Sequence, residues 1–224
     1  KKLDTYEFQL AALTPAGESK HIKGKKAFSE KRKKLAAEKR KKAQKQGVKV
    51  RTPSKTDLVN LLQHYQAGRF SDAEKLALSL IQEFPEHQFG WKVLGSVLKE
   101  TGRISESLIA KQKAVELDFQ DAEAHSNLGN MLKELGRLEE AEASYRQAIA
   151  LKPDLAKAHY NLGSTLKELG RLDEVEAHYR QAIALKSNYV EAHSNLGNML
   201  KELGRLEESE ASYRQAIALK PDFA

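Results

Sequence analysis

Residues 122–155 read AEAHSNLGNMLKELGRLEEAEASYRQAIALKPDL, and close copies of this stretch follow at 156–189 and at 190–223. The tripeptide Gly-Arg-apolar recurs at the same point of each 34-residue period, with its glycine at Gly68, Gly102, Gly136, Gly170 and Gly204. A unit this short cannot bury its own apolar face, so the copies must stack on one another. The sequence therefore predicts an array of repeats, whose function follows from the surface of a stack.

The spacing of apolar residues within the unit predicts a pair of antiparallel helices. When the periodic glycine is placed at position 15, the five units begin at Ser54, Gln88, Ala122, Ala156 and Val190. Apolar residues at positions 7, 11 and 14 then share one helical face, and those at 17, 20, 24, 27 and 28 share another. The position-15 glycine suits a left-handed helix cap, and we expect Asp154 to cap the helix that follows it.

A second glycine recurs at position 8, inside the first helix of the pair. A helical glycine costs about 0.5–1 kcal/mol relative to alanine, so its repetition indicates a compensating close helix crossing. The small residues Ala141, Ala148 and Ala182 would let the second helix approach, with Tyr179 filling the space beside it. We expect Gly163→Leu to overpack this crossing by about 1–3 kcal/mol.

The unit resembles the tetratricopeptide repeat. The residues that carry the resemblance are Leu-Gly at positions 7 and 8, small residues at 20 and 27, an aromatic residue at 24 and proline at 32. The resemblance implies an all-α fold, a right-handed α-solenoid of helix-turn-helix repeats. It divides the chain into a basic arm that is flexible or partly helical, a divergent first repeat and four further repeats, at residues 1–53, 54–87, 88–121, 122–155, 156–189 and 190–223.

The last three units are similar to the repeats of the O-linked N-acetylglucosamine transferases and their bacterial relatives, as in Ala122-Glu-Ala-His-Ser-Asn-Leu-Gly-Asn. This similarity gives two expectations for function. The first is a non-catalytic scaffold that binds proteins or extended peptides. The alternative is the substrate-recruiting repeat region of a glycosyltransferase, or of another transferase, whose catalytic domain is absent from this sequence.

In tetratricopeptide arrays the first helix of each pair lines a concave groove through positions 2, 5, 6, 9, 12 and 13. The resemblance places eight candidate peptide-binding residues there: Lys92, Asn127, Asn130, Lys157, Tyr160, Asn161, Asn195 and Asn198. The asparagines at position 6 recur in three consecutive units, and an amide can both donate to and accept from a peptide backbone. Alternatively, these amides bond neighbouring helices or water.

Some arrays of this family grip an acidic chaperone tail with a carboxylate clamp. Lys92, Asn127 and Lys157 occupy clamp positions, but Ser96 stands where an asparagine is expected and Asn161 where an arginine is expected. Three matches of five make an incomplete clamp.

Three histidines recur at position 4, namely His125, His159 and His193. Stacked helices would hold them about 10 Å apart, whereas zinc needs each nitrogen about 2 Å from one ion. They are better explained as substitutes for the usual large packing residue. We therefore predict no metal site and no cofactor, and we find no motif of a catalytic residue.

Charge divides unevenly along the chain, whose net charge is +7. Residues 1–53 carry 17 Lys and Arg against 5 Asp and Glu, whereas the rest carries 21 against 26. The basic stretch 20–51 could contact nucleic acid or an anionic surface, or could act as a solubilising or linking arm. The chain has no cysteine and no apolar run long enough to span a membrane, which fits a cytoplasmic protein.

The last helix of the array should keep part of its apolar face uncovered. We expect exposure at Leu206, Ile217 and Leu219, and self-association as its consequence.

Overall fold

The computed structural model describes residues 52–220, and within this range all regular structure is helical. The described residues form ten helices, in chain order: α1 Lys55–Gln66, α2 Phe70–Glu83, α3 Gln88–Glu100, α4 Ile104–Leu117, α5 Ala122–Glu134, α6 Leu138–Leu151, α7 Ala156–Glu168, α8 Leu172–Leu185, α9 Val190–Glu202 and α10 Leu206–Leu219. The all-α prediction is confirmed. The expectations for the basic stretch 20–51 fall outside the described residues.

The chain divides into two compact units between Ile109 and Ala110, inside α4. Helices α1 to α3 and the start of α4 belong to the first unit, and the remainder of α4 with α5 to α10 belongs to the second. In the second unit each odd-numbered helix packs against the even-numbered helix that follows it, and the next pair packs against that one.

The predicted left-handed glycine caps are present at all five periodic glycines, whose φ angles lie between 69° and 77°. At the end of α5, the amide of Gly136 donates to the carbonyl of Lys133 and the amide of Arg137 donates to the carbonyl of Leu132. This pair of bonds is the Schellman motif, which satisfies carbonyls that the helix end leaves free. A side chain other than glycine would be strained at this φ, so the recurring glycine fixes each hairpin turn.

In the last three repeats the position-8 glycines lie against the tyrosines at position 24, as the close crossing requires. A Cβ atom added at Gly163 would lie 2.9 Å from Cε1 of Tyr179, and one added at Gly129 would lie 2.7 Å from Cε1 of Tyr145. Both tyrosine side chains are fully buried. The glycine therefore makes room for the aromatic ring itself, and Ala141, Ala148 and Ala182 of the second helices are fully buried.

One capping prediction is wrong and one packing prediction holds only in part. The residue before α7 is Leu155, and the side chain of Asp154 makes no cap hydrogen bond. Asp121, one position later in its own repeat, does cap α5, with its Oδ1 2.9 Å from the amide of Ala124.

Position 14 was expected on the buried face, but Leu135 and Leu203 are 40% and 47% exposed.

Arginines and glutamates of the second helices form two charge quartets, each made of two arginines and two glutamates from adjacent repeats. In the first quartet Arg146 pairs with Glu142 at 2.9 Å and with Glu174 at 2.7 Å, and Arg171 also pairs with both glutamates. The guanidinium of Arg146, and then that of Arg171, hold the pKa of Glu174 below its usual value. The second quartet repeats the pattern one period later, with Glu176, Arg180, Arg205 and Glu208.

The exposed apolar face expected on the last helix is present. Leu206 is 64% exposed, and Ile217 and Leu219 are 44% and 39% exposed. No helix between residues 52 and 220 combines the length and the apolar character that crossing a bilayer demands.

Candidate peptide-binding face

The eight predicted binding residues all lie on first helices of pairs. Lys92 is on α3, in the first unit, where it is half-buried and has an interaction partner. The other seven lie on α5, α7 and α9 of the second unit: Asn127, Asn130, Lys157, Tyr160, Asn161, Asn195 and Asn198. We call these seven residues the amide face. The register explains the arrangement, because positions 2, 5, 6 and 9 share one side of a helix.

Two side-chain hydrogen bonds connect the amide face across consecutive repeats. Nδ2 of Asn161 donates to Oδ1 of Asn130 at 2.7 Å, which joins α7 to α5. Nδ2 of Asn195 donates to the hydroxyl of Tyr160 at 3.0 Å, which joins α9 to α7. Part of the hydrogen-bonding capacity of the asparagines is therefore used between helices, which is the alternative that the sequence left open.

Tyrosines at position 24 bond the asparagines at position 9 of the same repeat. The hydroxyl of Tyr145 donates to Oδ1 of Asn130 at 2.8 Å, and the hydroxyl of Tyr213 donates to Oδ1 of Asn198 at 2.7 Å. Burial, and secondarily the charge of Glu168, raises the pKa of Tyr145, so its hydroxyl remains a donor. These bonds fix the orientation of the two amides. Within the described residues, Nδ2 of Asn130 and Nδ2 of Asn198 have no hydrogen-bond partner. Sequence reasoning missed this contact, although positions 9 and 24 recur together.

Three tyrosine rings, those of Tyr160, Tyr179 and Tyr189, lie close together near the start of α9. The ring of Tyr160 lies 5.9 Å from that of Tyr179 and 4.9 Å from that of Tyr189, between ring centres. Nζ of Lys186 sits 4.7 Å from the ring centre of Tyr189, a cation–π contact. Burial is the main cause that raises the pKa of Tyr189 to about 12. The sequence pointed to Tyr160 alone, because Tyr189 lies at the turn between repeats.

Lysines beside the amide face are neutralised by glutamates of the next repeat. Nζ of Lys133 lies 3.0 Å from Oε1 of Glu168 and also donates to the hydroxyl of Ser164 at 2.6 Å. Nζ of Lys167 lies 2.7 Å from Oε1 of Glu202. These ion pairs join position 12 of one repeat to position 13 of the next.

The recurring position-4 rings share one backbone contact. In each of four repeats a ring nitrogen bonds the carbonyl six residues earlier, at 3.0 or 3.1 Å: Trp91 to Pro85, His125 to Phe119, His159 to Pro153 and His193 to Ser187. A carbonyl only accepts, so each histidine carries its proton on Nε2 in this contact. The histidines thus take the role of the tryptophan, as the packing explanation requires.

His159 has a second partner that the sequence did not indicate. Its Nδ1 lies 3.2 Å from Nδ1 of His178 on α8. Because Nε2 of His159 holds the proton, Nδ1 of His178 is the donor in this pair. Burial, then the charges of His159 and Arg146, lower the pKa of His178, while Glu174 opposes them. Between residues 52 and 220 no group of three or more His, Cys, Asp or Glu is placed to hold a metal ion.

Comparisons with known proteins agree with the helical-repeat fold. A family model described as TPR repeat matches residues 129–170 and 163–204, and one described as tetratricopeptide repeat matches 190–223. Residues 129–223 are tetratricopeptide repeats. No curated protein matches the sequence.

Among solved structures, MamA is similar with a TM-score of 0.66 and 22% identity, over 71% of this chain and 94% of MamA. YrrB, titled a TPR protein with an unusual peptide-binding site, has a TM-score of 0.64 and 16% identity, over 76% of this chain and 88% of its own. PilF of Pseudomonas aeruginosa has a TM-score of 0.69 and 18% identity, over 73% of this chain and 74% of its own. These neighbours support an all-α fold of paired helices, of the α-solenoid class.

Proposed function

We propose that the amide face binds an extended segment of another protein, which makes this chain a non-catalytic interaction scaffold. The observation that supports this function is a set of asparagine amides that are held in place on three successive first helices and still have free polar atoms. Within the described residues, Oδ1 of Asn161, Oδ1 of Asn195 and the whole amide of Asn127 have no hydrogen-bond partner.

The spacing of these amides suits a peptide main chain. Packed helices lie about 8–10 Å apart, and an extended chain advances about 3.3 Å per residue. One amide per repeat can therefore meet every third residue of a peptide. Because Asn161 and Asn195 are already fixed by Asn130 and Tyr160, less side-chain entropy is lost at these two residues when the peptide binds.

The charge of the face favours a neutral main chain over an acidic tail. Lys133 and Lys167 are paired with glutamates, so they offer a carboxylate ligand little net positive charge. Lys157 is exposed, but the clamp arginine that would accompany it is replaced by Asn161. We therefore propose recognition of the peptide backbone with low sequence preference.

The test compares the parent with a triple variant, Asn127→Ala, Asn161→Ala and Asn195→Ala. Peptides of about 12 random residues are selected by display on the parent, and the dissociation constant of each selected peptide is then measured for both proteins. Each backbone hydrogen bond contributes about 0.5–1.5 kcal/mol, so the triple variant should bind at least tenfold more weakly.

Asn188→Ala serves as the matched control, because Asn188 is exposed in the turn before α9 and lies off the amide face. Circular dichroism of all variants verifies that the helices are retained. Equal affinity of parent and triple variant for the selected peptides, or no selectable peptide at all, would contradict the proposal.

We further propose a cytoplasmic location and no catalysis by the repeats themselves. The open reading frame that encodes this chain tests the transferase alternative, because it shows whether a glycosyltransferase domain lies in the same polypeptide.

A further inference from the structure

The amide face offers one hydrogen-bond acceptor and one donor between each two neighbouring first helices of the second unit. Between α5 and α7 the acceptor is Oδ1 of Asn161 and the donor is Nδ2 of Asn130, because the bond between these two amides uses their other polar atoms. Between α7 and α9 the acceptor is Oδ1 of Asn195 and the donor is the hydroxyl of Tyr160. The same two functions therefore recur once per repeat.

The hydroxyl of Tyr160 keeps its proton for a further acceptor. Burial, and then the charge of Glu191, raises the pKa of Tyr160, while the bond from Asn195 opposes them. The oxygen accepts from Asn195, and the O–H has no hydrogen-bond partner within the described residues. A main-chain carbonyl can accept from this hydroxyl, as it can from Nδ2 of Asn130. Each repeat can therefore bond one N–H and one C=O of a bound main chain.

The distance between neighbouring first helices decides which backbone conformation fits. The direct bonds from Asn161 to Asn130 and from Asn195 to Tyr160 require these helices to be packed neighbours, which lie about 8–10 Å apart. A β-strand presents the same side after two residues, or about 6.6 Å, and its third residue faces the opposite side. A polyproline II helix has three residues per turn at about 3.1 Å each, so the same backbone groups return after about 9.3 Å. Of these two extended conformations, polyproline II matches the repeat.

The surroundings of the amides also favour this conformation. A polyproline II backbone makes no internal hydrogen bonds, so its polar groups are free for the amides. The rings of Tyr160 and Tyr189 lie 4.9 Å apart between centres and are half-buried, which leaves apolar surface beside Asn195. Aromatic surface of this kind receives proline-rich segments, whose preformed conformation lowers the entropy cost of binding. Lys133 and Lys167 are already paired with glutamates, so the face suits a segment without charge.

Resting on the function proposed above, we propose that the amide face binds an uncharged, proline-rich segment in the polyproline II conformation, with a residue other than proline at every third position. That residue supplies the N–H that Oδ1 of Asn161 or of Asn195 accepts, and proline has no such group. A carbonyl of the same turn accepts from Nδ2 of Asn130 or from the hydroxyl of Tyr160. The two intervening prolines hold the conformation and pack against the tyrosine rings.

Fluorescence anisotropy with the full 224-residue chain tests the proposal. Four labelled peptides of about 12 residues with blocked ends are compared: repeats of Ala-Pro-Pro, repeats of Ala-Pro, polyproline and repeats of Ala-Ser-Ser. The Ala-Pro-Pro peptide should bind at least fivefold more tightly than the Ala-Pro peptide or polyproline, since these two offer no pair of N–H groups three residues apart. The Ala-Ser-Ser peptide has every N–H but no fixed conformation, so it should bind more weakly than the Ala-Pro-Pro peptide.

The double variant Asn161→Ala and Asn195→Ala removes both acceptors. It should lose the preference for the Ala-Pro-Pro peptide over polyproline, while circular dichroism shows that its helices are retained. Gln181→Ala is the matched control, because Gln181 is an exposed amide on α8, off the amide face. This control should keep the parental preference.

The inference fails if polyproline or the Ala-Pro peptide binds as tightly as the Ala-Pro-Pro peptide, or if the double variant keeps the preference. It also fails if the Ala-Ser-Ser peptide binds best, or if the Ala-Pro-Pro peptide does not bind at all. In each of these cases the peptides selected by display decide separately whether the proposed function stands, since that selection assumes neither proline nor a three-residue register.

Discussion

Gly163→Ala should destabilise the protein although alanine is the better helix former. The new Cβ would lie 2.9 Å and 3.0 Å from Cε1 and Cδ1 of Tyr179, closer than carbon atoms normally approach. The ring cannot easily yield, because the Tyr179 side chain is only 1% exposed. Overpacking costs about 1–3 kcal/mol, and the gain in helix propensity offsets about 0.5–1 kcal/mol of it. We expect a net loss of about 1–2 kcal/mol.

Gly197→Ala supplies a matched control for this prediction. Its Cβ would lie equally near the ring of Tyr213, at 2.9 Å and 3.0 Å, but Tyr213 is half-buried on the last helix and can move aside. The free energy of unfolding is measured by urea titration with far-UV circular dichroism, at a concentration too low for association. The confinement argument is refuted if the two variants lose equal stability, or if Gly163→Ala is as stable as the parent.

The remaining predictions concern charge. Burial is the main cause that lowers the pKa of His125 and His178 in the folded protein, whereas in the unfolded chain both titrate near 6.5. Below about pH 6.5 the unfolded state therefore binds more protons than the folded state. The stability contributed by the two neutral histidines is complete above that pH and is lost as the pH falls toward their lowered pKa values in the folded protein. Thermal melts between about pH 5 and 7.5 should show this slope, and His178→Gln should flatten it; an unchanged slope would contradict the assignment. Arg171→Gln removes one partner from both Glu142 and Glu174, so it should lower the melting temperature at low salt but not in about 1 M NaCl, where screening removes the benefit. A loss that persists in high salt would show that Arg171 acts through packing.

The repeat register could be predicted from the sequence because periodic glycines and leucines report local backbone and packing needs. Gly136 and Gly163 each have a role that follows from their spacing alone. The His159–His178 contact could not be predicted, since it depends on the distance between positions 4 and 23 across two packed helices. The cap prediction at Asp154 was wrong because Asp154 lies one residue before the N-cap position of α7, which Leu155 occupies. The geometry of the loop decides which residue takes the N-cap position.

The residues of the amide face lie on first helices, as the repeat register indicated, but the bonds among them could not be read from the sequence. The sequence identifies Asn161 as a polar residue at position 6, whereas only the folded structure shows that its Nδ2 reaches Asn130 of the preceding repeat. Whether these asparagines hold a peptide stays a prediction.

The side-chain bonds between repeats have a consequence for how the protein folds. Those of the second unit join residues 28 to 35 apart, such as Arg146 with Glu174 and Asn195 with Tyr160. Contacts so near in sequence need little loop closure, which favours rapid folding from several starting points. A hairpin at the end of such an array can detach and rejoin while its neighbours stay folded, so stretching the protein should lengthen it in steps of about one repeat.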